Sequence, residues 1–180
     1  MYSISIDSIG VYHRPAARKY ELSRQPDHKS LSLGRIELFP KKNFEQALEG
    51  LSEFDRIWVV FSFDKSVGWN PKVRPPRGKK KIGLFATRSP HRPSSIGMSC
   101  VQLKGVSGRF LDVQGADLLD NTPILDIKPY IPYCDSFPDA KAGWVDSIMD
   151  SNYELRWSSL AIEQKDFLYS HGVFFSDYVF

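Results

Sequence analysis

The sequence predicts a mostly β protein, a small antiparallel β-barrel with one or two short helices and no dinucleotide-binding Rossmann layer. Three observations predict it. Short β-branched and aromatic segments recur along the chain, about seven in all. Gly83, Gly97, Gly105, Gly108 and Gly115 punctuate them at the close spacing of barrels and sandwiches. No G-x-G-x-x-G or G-x-x-x-x-G-K-[ST] stretch is present, so a Rossmann site and a P-loop are unsupported.

Each element has a local reason. Residues 3–6 alternate Ser and Ile before Ile9-Gly10-Val11-Tyr12, the period-2 signature of a half-buried strand. Ser23-Arg24-Gln25-Pro26 is an early polar loop. Residues 34–39 alternate again and stop at Pro40. Phe44, Ala47, Leu48 and Leu51 then fall at i, i+3, i+4, i+7, which predicts a short helix with Asn43 as its cap, Gln46 three residues later and Gly50 as its stop. The run 56–63 is apolar without alternation, as expected of a central strand covered on both faces. Residues 72–81 read as a basic hairpin stiffened by Pro75-Pro76 and preceded by Trp69. Segments 82–87, 98–103, 110–113 and 124–130 complete the strands. Beyond Trp144 the pattern weakens, with a short helix expected over 160–168 and a last strand at Val173-Phe174-Phe175. This divides the chain into a barrel domain, 1–145, and a short C-terminal extension, 146–180, whose aromatic residues should pack on the barrel or on another subunit.

Composition bounds the function. At 180 residues there is room for one main domain. Hydrophobic residues at 42% with charged residues at 25% describe a core that needs no metal or disulfide. The two cysteines, Cys100 and Cys134, have no metal-ligand spacing, which excludes a zinc cluster and a disulfide framework and favours a reducing cytoplasm. The N-terminus does not read as a signal peptide, and the longest apolar run, residues 57–61, is strand-sized, so no membrane span is expected.

Charge is strongly partitioned. Between Asp64 and Asp112 there is no acidic residue, while Lys65, Lys72, Arg74, Arg77, Lys79, Lys80, Lys81, Arg88, Arg92, Lys104 and Arg109 fall in that interval. From Asp112 to Asp139 six aspartates face Lys128 alone. A basic block beside an acidic one suits a polyanion-binding surface next to a site of different chemistry, although solvated loops give the same pattern.

Two stretches concentrate candidate chemistry. In Thr87-Arg88-Ser89-Pro90-His91-Arg92-Pro93, the prolines stiffen a loop that presents two guanidinium groups, an arrangement suited to phosphate or carboxylate; a turn whose arginines bond backbone carbonyls is the bland alternative. In Asp117-Leu118-Leu119-Asp120-Asn121-Thr122-Pro123-Ile124-Leu125-Asp126-Ile127-Lys128-Pro129-Tyr130, strict alternation would set Ile124, Asp126, Lys128 and Tyr130 on one strand face, with Leu125 and Ile127 opposite.

Taken in order, R-Q-P, F-x-x-x-L-E-G-L-x-x-F, R-P-P-R, G-x-F-A-T-R-S-P-H-R-P-x-x-I-G-x-S and D-L-L-D-x-T-P-I-L-D-I-K-P-Y-I-P-Y-x-D-S closely resemble the TsaA-like family over roughly residues 5–145. The resemblance implies a β-barrel methyltransferase that uses S-adenosyl-L-methionine. Its implied substrate is N6 of threonylcarbamoyladenosine beside the anticodon of a tRNA, and its implied assembly a homodimer. It assigns donor contacts to Arg24, Gln25, Pro26, Asp64, Lys65, Arg88, Met98, Asn121, Thr122, Pro123 and Ile124. Two departures lie near that site: Asp64-Lys65 stands where relatives commonly carry His-Gln, and Arg92-Pro93-Ser94-Ser95 replaces R-P-N-P.

Substrate contacts are expected from Arg74, Arg77, Lys79, Lys80, Lys81, His91 and Arg92. The N6 proton must leave at or near the transfer, for which Asp126, or Tyr130 influenced by Lys128, is the candidate; Arg92 or Lys128 suits the threonyl carboxylate. A non-catalytic S-adenosylmethionine- or RNA-binding module, or methyl transfer to another substrate, is the competing reading.

Overall fold

The computed structural model describes residues 3–14, 32–76, 78, 80–146 and 156–172. The chain falls into two units, Met1–Pro138 and Asp139–Phe180.

The first unit is a closed antiparallel barrel of six strands. In chain order its strands are β1 (Gly10–His13), β2 (Leu33–Leu38), β3 (Arg56–Ser62), β6 (Ile96–Ser107), β7 (Phe110–Gln114) and β8 (Thr122–Pro129), arranged β1-β2-β7-β6-β3-β8. β1 closes the ring by pairing with both β2 and β8. Apolar side chains alternate inward: Tyr12, Ile36, Ile57, Val59, Phe61, Val101, Leu111, Val113 and Ile124 are buried in one core. The period-2 pattern of these sequences is what allows the inner face to be dry while the outer face carries charge. Outside, Arg35 grips Asp112 through two bonds of 2.7 and 3.1 Å across β2 and β7.

The remaining pair, β4 (Lys72–Val73) and β5 (Ile82–Gly83), forms a separate two-stranded hairpin. It is anchored by the Leu84 amide, which donates to the Pro71 carbonyl at 2.9 Å, and by the buried Leu84 side chain. The expected strand over 82–87 is thus only two residues long. Residues Leu84–Ala86 turn as a 3-10 segment that puts Leu84 inward and leaves Phe85 78% exposed. β-propensity is present at Ile82 and Phe85, but among the described residues only Ile82 of the two finds a strand partner, Val73 of β4.

Other expectations shift in the same physical way. The first strand begins at Gly10, with Ile4 and Ile6 exposed; residues 10–12 pair on both sides and His13 with β2 alone. Helix α1 (Phe44–Ala47) is one turn long; Asn43 takes the left-handed conformation and bonds the Gln46 side chain at 2.7 Å instead of capping a backbone amide. Phe44, Leu48 and Leu51 nevertheless pack on the core, and Gly50, at φ 80°, ends the segment as expected. β3 is central in its sheet, but its inner face alone is fully buried. Helix α2 (Pro132–Asp135) follows β8.

The decisive departure is in β8. Val60 pairs with Asp126 but Phe61 pairs with Ile124, so Leu125 is an extra residue bulged out of the ladder. Ile124 is therefore fully buried and Ile127 still packs on the core, whereas Asp126 and Lys128 point outward. Strict alternation, which grouped Ile124 with Asp126 and Lys128, fails at that bulge.

In the second unit, α3 (Ser159–Ser170) covers the helix expected at 160–168. Its first turn is capped by Ser158, whose hydroxyl accepts from the Ala161 amide at 3.2 Å. The strand expected at Val173-Phe174-Phe175 lies outside the described residues.

Candidate functional site

A cleft of about 480 Å³ opens against β3 and β6. Phe61, Phe63, Ile96, Gly97 and Met98 supply its apolar lining, Arg56, Trp58, Ser99 and Cys100 continue it, and Thr87, Arg88, Arg92 and Asp117 complete it. Gly97 creates the space. A Cβ there would sit 2.4 Å from the Phe61 ring and 2.9 Å from that of Phe63, so only glycine lets the two rings, edge-on at 5.1 Å, lie over the strand.

The stiff loop after β5 delivers both arginines to this cleft. Arg92 folds back: its Nη1 donates to the Thr87 carbonyl at 2.8 Å, and its guanidinium lies 5.7 Å from the Phe85 ring. The bland alternative thus describes part of Arg92's bonding. Arg88 lines the cleft and acts electrostatically on Asp117, yet its side chain is exposed and less desolvated than the flanking prolines imply. His91 is exposed on the same loop.

Asp117 was given no role by sequence reasoning. It lies between buried Ala116 and Leu118, and the Ser99 hydroxyl, itself on a fully buried residue, donates to it. Burial raises its carboxyl above the usual range, and the Ser99 bond and the Arg88 charge only partly offset this. A carboxylate placed between two core residues directly after Gly115-Ala116 is the signal that could have singled it out.

Next to the cleft, the expected donor contacts converge at the end of the barrel where β3 finishes and β8 begins. The Lys65 ammonium donates to the Asp120 carbonyl at 3.0 Å. Asn121, at φ 63°, bonds the Asp120 carboxylate at 2.8 Å, and its amide reaches the Tyr12 carbonyl at 2.8 Å. The buried Thr122 hydroxyl closes the turn onto the Leu119 carbonyl at 2.7 Å. Pro123 pairs with Val11, and Ile124 with Gly10, in the closing strand. Met98, 57% exposed, belongs to the cleft itself. Asp64 is exposed beside Lys65. Arg24, Gln25 and Pro26 lie outside the described residues.

The outward row on β8 stands on the other side of Trp58. Lys128 pairs with Asp126 at 2.8 Å, and the Asp126 carboxylate also accepts from the Ile127 amide. The Tyr130 ring leans on Trp58, centroids 5.8 Å apart. The Trp58 indole N–H donates to Asp135 at 3.0 Å, and the same oxygen accepts from the Ile131 amide, which holds that carboxyl below its ordinary range. Of this row only Trp58 lines the cleft; Asp126, Lys128 and Tyr130 do not. Arg74, Lys80 and Lys81 are exposed on the hairpin, while Arg77 and Lys79 lie outside the described residues.

Comparison with known proteins gives one consistent result. The profile of the tRNA-methyltransferase O N-terminal domain matches residues 11–136. The tRNA (adenine(37)-N6)-methyltransferase of Escherichia coli K12 is 41% identical over 155 residues, 82% of this chain and 66% of that protein. An Archaeoglobus fulgidus protein described as a probable S-adenosyl-L-methionine-binding protein is 34% identical over 172 residues, 96% of this chain and 44% of its own length. The chain therefore spans about two thirds of the bacterial relative and less than half of the archaeal one. The crystal structure of TrmO from Pseudomonas aeruginosa superposes with a TM-score of 0.70 at 36% identity, covering 95% of this chain and 74% of that one. With its barrel, its cleft and most of its length accounted for, the chain belongs to the tRNA-methyltransferase O N-terminal domain family.

Proposed function

We propose that this protein transfers a methyl group from S-adenosyl-L-methionine to N6 of a threonylcarbamoylated adenosine beside the anticodon of a tRNA. The observation that carries this reading is the cleft, which joins an apolar wall to a cation and a carboxyl in a chain of this family.

The residues present fit such a donor. Phe61 and Phe63 offer aromatic surface for its adenine, and Arg88 a partner for its carboxylate. Lys65, Met98 and the turn from Asn121 to Ile124 adjoin them, with Asp64 beside Lys65. In the proposal Arg24, Gln25 and Pro26 complete the site. When bound, the donor supplies a methyl group already activated by its positive sulfur.

The chain's own task is then to seat the nucleophile, remove its proton and hold the tRNA. The basic hairpin, with Arg74, Arg77, Lys79, Lys80 and Lys81, would track phosphates. Trp58 and Tyr130 would offer stacking faces for unpaired bases. Lys128 is better suited than Arg92 to the threonyl carboxylate, since Arg92 already spends Nη1 on the Thr87 carbonyl. Asp126 would keep Lys128 oriented through their ion pair, and His91 would contribute to the same substrate surface. Apolar side chains exposed around the cleft, Phe85 and Met98 among them, support assembly as a homodimer. Among the described residues no helix is long and apolar enough to cross a membrane, and a cytoplasmic place is part of the proposal.

The test is incubation of the purified protein with methyl-labelled donor and tRNA carrying or lacking the threonylcarbamoyl group. Label should enter the modified tRNA alone. Donor binding without transfer to either tRNA would establish a sensor instead.

A further inference from the structure

We propose that Asp117 is the proton acceptor for the methylated nitrogen, in place of the Asp126 candidate read from the sequence. The inference rests on the methyl-transfer reading and deepens it.

Two carboxylates compete for the role, and their surroundings differ. Asp126 sits on the outward face of β8, where one oxygen pairs with Lys128 and the other accepts from the Ile127 amide. Both of its acceptor oxygens are committed, the side chain is 47% exposed, and it does not line the cleft. A carboxylate so engaged, outside the cleft, is poorly placed to meet the N6 proton.

Asp117 lines the cleft together with Arg88, Met98 and the two phenylalanines. Among the described residues, the side chain that donates to it is Ser99, and its own backbone amide also acts on the carboxyl. Among the described residues, the titratable groups acting on it come from different elements. Arg88 approaches from the proline-stiffened loop, and Tyr12 of β1 is coupled to it from the barrel interior. Tyr12 is itself raised by burial, so at neutral pH it is neutral and adds no competing charge. Desolvation strengthens Asp117 as a base relative to an exposed aspartate, bringing its proton affinity toward the working pH where acid–base catalysis is most effective.

The step balances. The N6–H bond breaks and its proton passes to the Asp117 oxygen that does not accept from Ser99. The electron pair on nitrogen forms the new N–C bond while the C–S pair withdraws onto sulfur. Asp117 ends neutral, hydrogen-bonded to Ser99 and no longer an unsolvated charge beside an apolar wall. It returns its proton to solvent when products leave.

The experiment uses the full chain with threonylcarbamoylated tRNA and labelled donor. Asp117→Asn preserves the oxygen that accepts from Ser99, so the fold should hold, and thermal melting checks this. The expected result is a fall in kcat of at least about 100-fold, with donor affinity by calorimetry changed less than about threefold. Ser99→Ala removes a bond that favours the charged form. It should move the acid limb of the kcat profile to higher pH while leaving the rate on the alkaline plateau close to wild type. Asp126→Asn should leave that limb where it is.

Three outcomes overturn the proposal: Asp117→Asn retaining turnover, losing donor affinity with kcat intact, or Ser99→Ala leaving the limb unmoved. If the wild-type protein transfers no label to either tRNA, the methyl-transfer reading fails instead. The melting difference between wild type and Asp117→Asn as a function of pH still reports whether this carboxyl titrates.

Discussion

Adding one methyl group at Gly97 should damage both the barrel and the cleft. The backbone of β6 is extended there, so alanine meets no conformational penalty, and the cost is purely steric. Its Cβ would lie 2.4 and 2.5 Å from two atoms of the Phe61 ring and 2.9 Å from Phe63, where ordinary carbon contacts are about 3.5–4.0 Å. Phe61 would have to retreat by over an ångström, yet it is only 4% exposed and braced edge-on by Phe63. Overpacking of this kind costs about 1–3 kcal/mol, and an immobile ring places Gly97→Ala near the upper end. The control is Gly105→Ala on the same strand, where nothing lies within 4 Å of the added carbon; it should stay within about 0.5 kcal/mol of wild type. Urea unfolding with an unchanged slope measures both. Phe61→Leu should recover part of the loss when combined with Gly97→Ala, because it removes the colliding ring atoms. If Gly97→Ala unfolds at the wild-type midpoint, the rings are mobile and the cleft is not fixed by this contact.

Other perturbations discriminate as sharply. Arg88→Lys should weaken donor binding by about 1–2 kcal/mol, toward the low side for a charge-assisted bond because the side chain is exposed; calorimetry beside a melting curve distinguishes this from a structural role, in which the melting temperature would drop and affinity per folded molecule would not. Replacing Arg74, Lys80 and Lys81 by Ala should weaken tRNA binding and flatten its dependence on salt, leaving donor affinity nearly intact; equal loss of both would make the hairpin a structural element. Asp117→Asn should be more stable than wild type at pH 8 and no more stable near pH 3. The native carboxyl is raised above its unfolded value, so its contribution to stability is complete below that value and disappears as pH rises through the native one. Chemical denaturation at the two pH values measures this, and a pH-independent difference would contradict it.

The parts that sequence made legible are those whose own residues dictate them. β3 and β6 were visible because long apolar or β-branched runs have no other economical place than a barrel wall. The cleft arginines were visible because two prolines fix the loop that carries them. What stayed hidden depends on partners distant in sequence. The bulge at Leu125 is invisible in Ile124-Leu125-Asp126-Ile127, since the alternation continues on paper. Only the register of β3 against β8 shows that one residue is left over. Asp117 escaped for the opposite reason: it lies between strand motifs, and its partner Ser99 is eighteen residues away on β6. The hairpin strand β5 was overread, because the propensity of Ile82 and Phe85 says nothing about whether an edge is available.

The closure of the barrel by β1 has a temporal consequence. Gly10 pairs with Ile124, so the first strand must wait for nearly the whole domain before it gains its second neighbour. A chain emerging from the ribosome therefore carries β1, β2, β7, β6 and β3 as an open sheet, with β1 and β3 as its unpaired edges, until β8 arrives. Topologies that defer their pairing in this way fold slowly, on millisecond to second scales, and expose strand edges meanwhile. The seam that closes last also contains the turn at Asn121 and Thr122, next to the cleft. Donor binding should accordingly appear only with the final closing step, which makes the appearance of donor binding in a refolding experiment a clock for completion of the barrel.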